Sequence, residues 1–299
     1  MQRILITGSS SGFGFLAAQT LTKAGHVVFA TMRDPAGRNS EAAARLTESS
    51  SQQDGRLHVL DLDVTSDASV EAAVEQANEL EGGIDVLVNN AGFGGGGLTE
   101  TFTPAQFSRM FEVNVFGVQR MNRAVLPAMR QRGSGLLIHI SSTMGRIVIP
   151  FAGAYTATKF ALEGLSETYR YELAPHGIES VIIQPGGFGT DFFGSMLQPE
   201  DAARVETYGE AAAMPQQLWS GMGEMIASGQ APDPQIVADA ILEVISAEPG
   251  ARPARMVVDP MTGGEGPKAL NQTAAAVQEQ LLSGFGMESL LHVAESSEV

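Results

Sequence analysis

A tyrosine and a lysine, Tyr155 and Lys159, stand four residues apart in the segment YTATK. On an α-helix this spacing brings both side chains to one face, within reach of each other. A cation close to a phenol favours the phenolate, so Lys159 would lower the pKa of Tyr155 from its ordinary value of about 10. A more acidic phenol exchanges a proton with an alcohol or a carbonyl near neutral pH. Taken alone, the pair is more typical of a half-buried core phenol and a solvated lysine.

A glycine-rich turn follows the first apolar run of the chain, in the segment ILITGSSSGFGFLAAQTL. The pattern is typical of a strand, a tight turn and an amphipathic helix, with glycines at Gly8, Gly12 and Gly14. Gly8 allows the tight turn, and Gly12 and Gly14 let the backbone and the helix approach a pyrophosphate. Free N–H groups at the N-terminus of the helix would bind that anion. The turn is therefore a candidate dinucleotide site.

The end of the second apolar run, HVVFATMRD, bears on which dinucleotide would bind. In a dinucleotide fold, an acidic residue about 20 residues after the turn usually binds the adenosine 2′-hydroxyl of NAD. Met32 stands at that place, Arg33 follows it, and Ser11 lies in the turn. A guanidinium binds a 2′-phosphate with two parallel hydrogen bonds, so we expect a preference for NADP(H), with NAD(H) still usable. Asp34 leaves an alternative open, because its carboxylate could pair with Arg33.

Polar and small residues end the third and fourth apolar runs, LDLDVT and VNNAG. Such residues are common in ordinary turns. The carboxyl ends of parallel strands, however, are where ligands bind in α/β folds. Asp63 could accept a hydrogen bond from an adenine amino group, and the NNAG backbone could lie along a cofactor. These segments supply the candidate cofactor residues Asp63, Val64, Asn90, Ala91 and Gly92.

The elements that must position these residues alternate regularly along the chain. Strands are expected within residues 3–7, 26–31, 56–63, 84–90, 135–141, 179–185 and 254–260, and helices near 14–24, 40–49, 67–81, 104–132, 154–174 and 235–247. This alternation predicts an α/β fold, a doubly wound (Rossmann) and mostly parallel seven-stranded sheet with helices on both faces.

We expect a single dinucleotide-binding catalytic domain over residues 1–260, because no linker or change of composition divides it. The long connection 186–234 is predicted to be a substrate lid. Residues 261–299 would form a C-terminal extension with a helix around 267–282, and the last residues, 294–299, are expected to be frayed.

Composition excludes several classes of function. The 299 residues include 18 basic and 34 acidic side chains, and the net charge of −16 disfavours nucleic acid and anionic membranes as partners. There is no cysteine, which excludes disulfides, thiolate metal sites and a cysteine nucleophile. The five histidines show no metal-ligand spacing, so no metal site is expected. The first residues already have a strand pattern, and we therefore expect a cytoplasmic protein without a signal peptide.

Six motifs occur in a fixed order along the chain: TGSSSGFG, NNAG, FEVNVFGV, ISS, YTATK and PGGFGT. In this order and spacing they resemble the short-chain dehydrogenase/reductase family, in its shorter single-domain branch, over most of the chain from residue 2 to residue 260. The segment VVFATMRDP is similar to the branch that holds 17β-hydroxysteroid and retinol dehydrogenases and related ketoreductases. The resemblance implies an NAD(P)-dependent enzyme that transfers a hydride between its cofactor and a carbonyl or secondary alcohol.

The resemblance also assigns roles to four residues. Tyr155 and Lys159 match the catalytic Tyr-x-x-x-Lys pair, with Tyr155 exchanging the proton and Lys159 also holding the nicotinamide ribose. Ser142, thirteen residues before Tyr155, matches the serine that binds the substrate oxygen, and its neighbour Ser141 is the weaker candidate. Asn114 matches the asparagine that holds a proton-relaying water near Lys159.

Further cofactor contacts are implied by the same resemblance. Phe188 and Thr190 match positions that contact the nicotinamide carboxamide. Phe13 stands where isoleucine is usual, and His139 where asparagine or serine is frequent. With the two turns included, the implied set comprises Gly8, Ser10, Ser11, Gly12, Phe13, Gly14, Pro185, Gly186, Phe188 and Thr190.

The substrate and the assembly are less closely defined by the sequence. The predicted lid is rich in apolar residues, among them Trp219 and several methionines, which suits a hydrophobic carbonyl or alcohol but also a core or a subunit interface. The family commonly pairs the helices that correspond to 104–132 and 154–174, so a homodimer or homotetramer is expected. The apolar residues of the second helix exceed what one intramolecular face needs: Phe160, Leu162, Leu165, Tyr169 and Leu173.

Two other functions stay open at this point. A non-catalytic dinucleotide-binding regulator would keep the fold, but it usually lacks the Tyr or the Lys, and this chain has both. An epimerase or dehydratase of the related longer branch would normally need a larger substrate domain than residues 186–234 and the extension supply.

Overall fold

The computed structural model describes residues 1–51 and 53–294. In these residues the chain forms a sheet of seven strands, all parallel, in the order β3-β2-β1-β4-β5-β6-β7. The strands are β1 Arg3–Ile6, β2 Val27–Met32, β3 Arg56–Asp61, β4 Val86–Asn89, β5 Gly135–Ile140, β6 Ile178–Pro185 and β7 Arg255–Val258. The predicted doubly wound sheet is confirmed, and each strand overlaps the apolar run predicted for it.

Helices cover both faces of the sheet, because alternate residues of each strand point to opposite faces and both sets are apolar. Ile4 and Ile6 of β1 pack with the helices at residues 12–23, 40–50 and 235–246 on one face, and Leu5 packs with the helices at residues 67–81, 117–132 and 153–173 on the other. None of the helices in the described ranges is both long and apolar enough to cross a membrane. The helices are α1 Gly12–Lys23, α2 Ser40–Ser50, α3 Asp67–Glu81, α4 Pro104–Phe111, α5 Gly117–Arg132, α6 Gly153–Leu173, α7 Ala202–Thr207, α8 Met214–Ala227, α9 Gln235–Ser246 and α10 Glu265–Gly284.

Local sequence explains where several helices begin and end. At the start of α3, the Ser66 hydroxyl accepts a hydrogen bond from the backbone N–H of Ser69. At the start of α4, Thr103 and Gln106 form a reciprocal capping box. Gly82, which ends α3, has a φ of 76°, a left-handed conformation that glycine adopts without a Cβ clash.

The predicted helix over 104–132 is interrupted. Helices α4 and α5 are joined by a π-helical turn, Glu112–Phe116, which has Asn114 at its centre. A π turn inserts one extra residue into the helix, and such insertions are frequent at functional sites. Periodicity alone could not reveal this turn, because the apolar pattern continues through it.

The predicted lid, residues 186–234, contains two helices, α7 and α8, joined by a 3₁₀ turn, Gly209–Ala213. It is tied to the end of β4, because Leu197 forms an isolated parallel bridge with Gly95. Leu197 donates its backbone N–H to Gly94 at 2.9 Å, and its carbonyl accepts from Gly96 at 3.1 Å. The connection therefore closes over the carboxyl edge of the sheet.

The C-terminal extension is docked on the sheet domain through polar contacts. Asn271 on α10 donates to the Gln184 side chain at 2.7 Å and accepts from Arg146 at 2.9 Å. Farther on, the backbone N–H of Ala294 donates to the carbonyl of Ala174 at 2.9 Å. Of the end that was predicted to be frayed, residues 295–299 lie outside the described residues.

Fewer apolar residues of α6 lie on the surface than the sequence had suggested. Leu162 and Leu173 are buried in the intramolecular core, whereas Phe160 is 44% exposed. The helix packs against both β6 and the turn after β5, so its intramolecular contacts use more than one face and need more apolar residues than one face would. Phe160 and Phe116, the latter 49% exposed, are the large apolar side chains left on this surface by α6 and the π turn.

Leu87 is a sensitive position for stability, because it is fully buried in β4 between β1 and β5. We expect Leu87→Ala to lower the free energy of unfolding by about 2–5 kcal/mol, since it leaves a cavity in a packed core. The matched control is Leu80→Ala on α3, where the side chain is 46% exposed, with an expected change within about 0.5 kcal/mol. Urea denaturation measures both, and equal losses would contradict the described core.

Candidate active site

The carboxyl ends of the strands open into a cavity of about 860 Å³. Strands β1 and β4 are neighbours whose connections leave to opposite sides, which creates the crevice where α/β sheets bind ligands. The predicted site residues that line this cavity are Gly8, Ser10, Ser11, Gly12, Phe13, Arg33, Asp63, Val64, Asn90, Ala91, Gly92, Ser142, Tyr155, Lys159, Pro185, Gly186, Phe188 and Thr190. Gly14 and Asn114 are not part of the lining, and both lie behind it.

The glycine-rich turn is packed tightly against the end of β4. Gly8 has a φ of +72°, and a Cβ on it would lie 2.9 Å from the Cα of Ala91. Asn90 fixes this contact by donating from its side-chain amide to the carbonyl of Gly8 at 3.0 Å. A Cβ on Gly14 would lie 2.4 Å from the same carbonyl. Gly14 therefore permits helix α1 to approach the turn, and the predicted direct contact with a pyrophosphate falls to the lining residue Gly12.

The turn after β6 closes over the glycine-rich turn from the other side. Thr190 lies opposite Gly12, where an added Cβ would meet the Thr190 side chain at 3.8 Å. Phe13 and Phe188 contact each other edge to face, with ring centres 5.5 Å apart. The phenylalanine that departs from the usual isoleucine therefore has a packing partner, and Gly186 is held by a 2.9 Å hydrogen bond from its N–H to the carbonyl of Val258.

The loop after β2 presents two arginines to the cavity. Met32 is buried, and Arg33 and Arg38 both line the cavity wall. Within the part of the chain that the structure describes, Asp34 makes no ion pair with Arg33, since its carboxylate accepts from the backbone N–H of Arg38 at 2.9 Å. The alternative left open by the sequence is therefore not the arrangement found. Arg38 was missed because it follows the strand by six residues, in a loop whose path the sequence pattern does not define.

Asp63 lies two residues after the end of β3, and hydrogen bonds fix the position of its carboxylate. Its carboxylate accepts from the backbone N–H and the hydroxyl of Thr65, at 2.9 and 2.7 Å. Burial alone would raise the pKa of Asp63, but the bonds from Thr65 and the charges of Arg33 and Arg38 lower it below its ordinary value. The side chain is therefore an anion near neutral pH.

Tyr155, Lys159 and Ser142 come together at the opposite end of the cavity. Tyr155 and Lys159 project from α6 and are 8% and 6% exposed, and Ser142 lies in the turn after β5. The Lys159 ammonium donates to the carbonyl of Ile140 at 2.7 Å and lies 5.6 Å from the centre of the Tyr155 ring. The predicted grouping of a phenol, an ammonium and a hydroxyl in one pocket is present.

The expected lowering of the Tyr155 pKa is wrong. Burial raises the pKa of the phenol above its ordinary value, and hydrogen bonding with Ser142 offsets this only in part. The expected lowering by Lys159 is not found, because the ammonium is directed at the Ile140 carbonyl. Burial also lowers the pKa of Lys159 to about 8.

Asn114 supports the pocket from the π turn. Its amide donates to the carbonyl of Phe93 at 2.9 Å and to the hydroxyl of Thr158 at 3.0 Å, and its carbonyl accepts from the N–H of Phe93 at 3.1 Å. The side chain thus joins the segment after β4 to helix α6. Its predicted role in a water relay stays a prediction.

His139 is fully buried in β5, with its Nδ1 atom 3.3 Å from the side-chain amide of Asn89. Burial, together with the charge of Lys159, lowers the pKa of His139 to about 3, so the imidazole is neutral. In residues 1–51 and 53–294, no group of three His, Asp or Glu side chains is arranged to hold a metal ion.

The lid contributes a chain of aromatic rings that begins at the phenol. Phe192 lies 5.3 Å from the Tyr155 ring, Phe193 lies 5.6 Å from Phe192, and Trp219 lies 6.2 Å from Phe193, all between ring centres. A run of glycines after β4, residues 94–97, makes room for them. A Cβ on Gly94 would meet Phe192 at 2.4 Å. Sequence reasoning missed this run, although four consecutive glycines after a strand were a usable signal.

Comparison with known proteins agrees with this geometry. A family model described as short chain dehydrogenase matches residues 2–201. The chain is 41% identical over 210 residues to 3-ketodihydrosphingosine reductase of Bacteroides thetaiotaomicron, covering 70% of this chain and 72% of that one. It is 36% identical over 247 residues to human retinol dehydrogenase 8, with 81% and 77% covered. It is 40% identical over 204 residues to human 17-beta-hydroxysteroid dehydrogenase type 1, with 66% and 60% covered.

Solved structures agree with the sequence comparisons. A crystal structure of a short-chain dehydrogenase from Streptomyces avermitilis superposes with a TM-score of 0.73 at 32% identity, and the match covers 95% of this chain and 96% of that one. The resemblance inferred from the six motifs is therefore confirmed. The chain belongs to the short-chain dehydrogenase/reductase family and is an NAD(P)-dependent oxidoreductase that acts on a carbonyl or an alcohol.

Proposed function

We propose that the enzyme prefers NADP(H) and reduces the carbonyl, or oxidises the secondary alcohol, of a hydrophobic substrate. The observation that carries this proposal is the shared cavity: Tyr155, Lys159 and Ser142 line its one end, and Gly12 and Arg33 line the other. A dinucleotide bound along the turn would bring its nicotinamide to the phenol.

The residues at the nucleotide end fit a dinucleotide. Gly12 has a φ of +54°, and an added Cβ would find only Thr190 within 4 Å, so backbone approach to a pyrophosphate is unobstructed on this side. Helix α1 starts here and directs its free N–H groups at the same place. Asp63 would accept from the adenine amino group, and Lys159 would hold the nicotinamide ribose.

The catalytic end fits proton transfer to an oxygen. When bound, the dinucleotide supplies or accepts the hydride at the substrate carbon. Tyr155 donates its proton to the carbonyl oxygen during reduction, and its raised pKa keeps it protonated until then. The Ser142 hydroxyl donates a hydrogen bond to that oxygen as negative charge develops. Asn114 holds helix α6 in place, and a relay through this region would return the proton to Tyr155.

The arginines after β2 support NADP(H) over NAD(H). Met32 offers no acceptor for the ribose hydroxyls, so NAD(H) lacks its usual carboxylate partner. Arg33 and Arg38 offer two cations to a 2′-phosphate, and Asp34 is engaged with the backbone of Arg38 rather than with the Arg33 guanidinium.

The cavity wall supports a hydrophobic substrate. The lid side chains that line it include Phe192, Phe193, Trp219 and Met222, and aromatic and thioether groups bind apolar surface without directional demands. The names of the relatives point the same way, because a ketosphingoid base, retinol and a hydroxysteroid are all large hydrophobic molecules.

We also propose that two copies associate through α5 and α6. Phe116, which immediately precedes α5, and Phe160 on α6 are 49% and 44% exposed, and aromatic groups are enriched at the centres of protein interfaces.

Replacing Tyr155 tests the chemistry directly. Tyr155→Phe removes the exchangeable proton but keeps the ring, so we expect kcat to fall by about 10²-fold or more and the Kd for NADPH to change by less than about threefold. Tyr169→Phe is the matched control, since it removes a hydroxyl from the same helix that bonds to Gln119, and its kcat should stay close to the parent value.

The assay uses NADPH with a panel of hydrophobic ketones and aldehydes. Normal turnover by Tyr155→Phe would contradict the mechanism. NADPH binding without turnover of any carbonyl would favour the regulator alternative, and product isomers without net NADPH consumption would favour the epimerase alternative.

Cofactor preference tests the role of Arg33. A charge-assisted bond to the 2′-phosphate contributes about 1.5–3 kcal/mol, or roughly tenfold or more in affinity. We expect Arg33→Ala to raise the Kd for NADPH by that factor and to leave the Kd for NADH unchanged, with a smaller rise for Arg38→Ala. Arg45→Ala is the control, because Arg45 packs over Phe15 outside the cavity. Equal Kd values for the two cofactors in the unmodified enzyme would overturn the preference.

Light scattering tests the subunit contact. The unmodified enzyme should have a mass near twice 31.5 kDa or a higher even multiple, at micromolar concentration. Phe160→Asp combined with Phe116→Asp should shift it towards 31.5 kDa, because two charges would have to be buried. Leu80→Asp, on another exposed surface, should leave the mass unchanged. A monomer in the unmodified enzyme would rule out the contact.

A further inference from the structure

A buried carboxylate lies one helical turn beyond the catalytic lysine. Glu163 is four residues after Lys159 on α6, which places both side chains on the same face of the helix. Glu163 is 3% exposed, as deeply buried as many residues of the apolar core. A buried carboxylate is costly unless it is paired and hydrogen-bonded, so its position requires an explanation.

The carboxylate of Glu163 is held from two neighbouring strands. It accepts from the Gln184 side chain on β6 at 2.8 Å and from the Arg255 guanidinium on β7 at 2.9 Å. Arg146, just beyond the turn that carries Ser142, lies 3.7 Å from it. With this many partners the side chain is fixed in place.

Glu163 also packs beneath the turn that carries Ser142. A Cβ on Gly145 would lie 2.8 Å from the Cγ atom of Glu163 and 2.7 Å from the hydroxyl of Ser141. The carboxylate therefore touches the backbone that positions Ser142, and it belongs to the helix that carries Tyr155.

We propose that Glu163 is a positioning residue for the catalytic site: its buried carboxylate holds helix α6 against the Ser142 turn and places a fixed acidic group one helical turn from Lys159. This inference rests on the proposed function, because Glu163 would act on the reaction through Lys159. Glu163 does not line the cavity, so it acts without touching the substrate or the cofactor.

The charges around Lys159 support this role. Burial lowers the pKa of Lys159 to about 8, and the negative charge of Glu163 opposes that fall. On the strand packed against Lys159, His139 is neutral and the Ile140 carbonyl accepts from the ammonium. Tyr155, on the same helix, is neutral as well because burial raises its pKa. Without the carboxylate, burial would act on Lys159 unopposed and it would lose its proton at a lower pH.

The groups that face Glu163 set the choice of control. Arg255 bonds to Glu163 and also to Glu167, one turn farther along α6, at 2.6 Å. Glu167 in turn accepts from the Tyr171 hydroxyl at 3.0 Å. Glu163→Gln and Glu167→Gln each remove one carboxylate partner of the same arginine, but only Glu163 is adjacent to Lys159.

The test measures the Kd for NADPH and kcat/KM from pH 6 to 10 in the full-length enzyme. Below its pKa Lys159 is protonated and holds the ribose, so binding is strong at low pH and weakens as pH rises through about 8.

In Glu163→Gln we expect the midpoint of this weakening to move down by about one pH unit. At pH 8 the charged fraction would then fall from about one half to about one tenth, and NADPH affinity by about fivefold. Glu167→Gln should keep the parent midpoint even where it lowers the melting temperature, and Glu163→Asp should restore most of it.

Three results decide the matter. A Glu163→Gln midpoint equal to that of Glu167→Gln would overturn the inference, because the loss would then be structural only. Lys159→Ala, measured in parallel, separates this from a failure of the proposed function. If Lys159→Ala leaves the Kd for NADPH unchanged at every pH, the proposed role of Lys159 fails. If Lys159→Ala weakens binding but Glu163→Gln moves no midpoint, only the role of Glu163 fails.

Discussion

The packing of helix α6 against β6 and the turn after β5 is the constraint on which the site depends. It buries a phenol and an ammonium together, with the Lys159 ammonium hydrogen-bonded to the Ile140 carbonyl. Burying these groups disfavours their charged forms, which raises the pKa of Tyr155 and lowers the pKa of Lys159. The same packing brings both side chains to the edge where the strands end, so the chemistry and the nucleotide turn share one cavity.

Burying the Lys159 ammonium costs free energy, and the charges around it reduce that cost. Glu163 lies one turn beyond it, and Arg255 and Arg146 balance that carboxylate from β7 and from the Ser142 turn. Asn271 joins the C-terminal helix to this cluster through Arg146. The described part of the extension, residues 261–294, contributes nothing to the cavity lining, but it is connected by hydrogen bonds to the helix and the turn that carry the proposed catalytic groups.

Most of the fold and the site could be predicted from the sequence, because parallel strands bring their carboxyl ends to one edge and four of the six motifs, TGSSSGFG, NNAG, ISS and PGGFGT, lie at the ends of strands. Other features depend on three-dimensional packing that no local pattern encodes. The π turn around Asn114 continues the apolar periodicity, and Arg38 reaches the cavity only through the path of its loop. The direction of the Tyr155 pKa shift depends on the burial of the phenol and on the hydrogen bond that Lys159 makes. The four-residue spacing defines neither of them.

In the proposed reaction, a dinucleotide bound in the shared cavity transfers a hydride to a substrate carbonyl. Isotope transfer tests this step: NADPH carrying deuterium at both positions of the reactive nicotinamide carbon is incubated with the enzyme and hydrophobic ketones. Mass spectrometry then locates the isotope in the product. We expect alcohols that carry one deuterium on the former carbonyl carbon. Alcohols without deuterium at that carbon, or no alcohol from any ketone while NADPH binds, would contradict it.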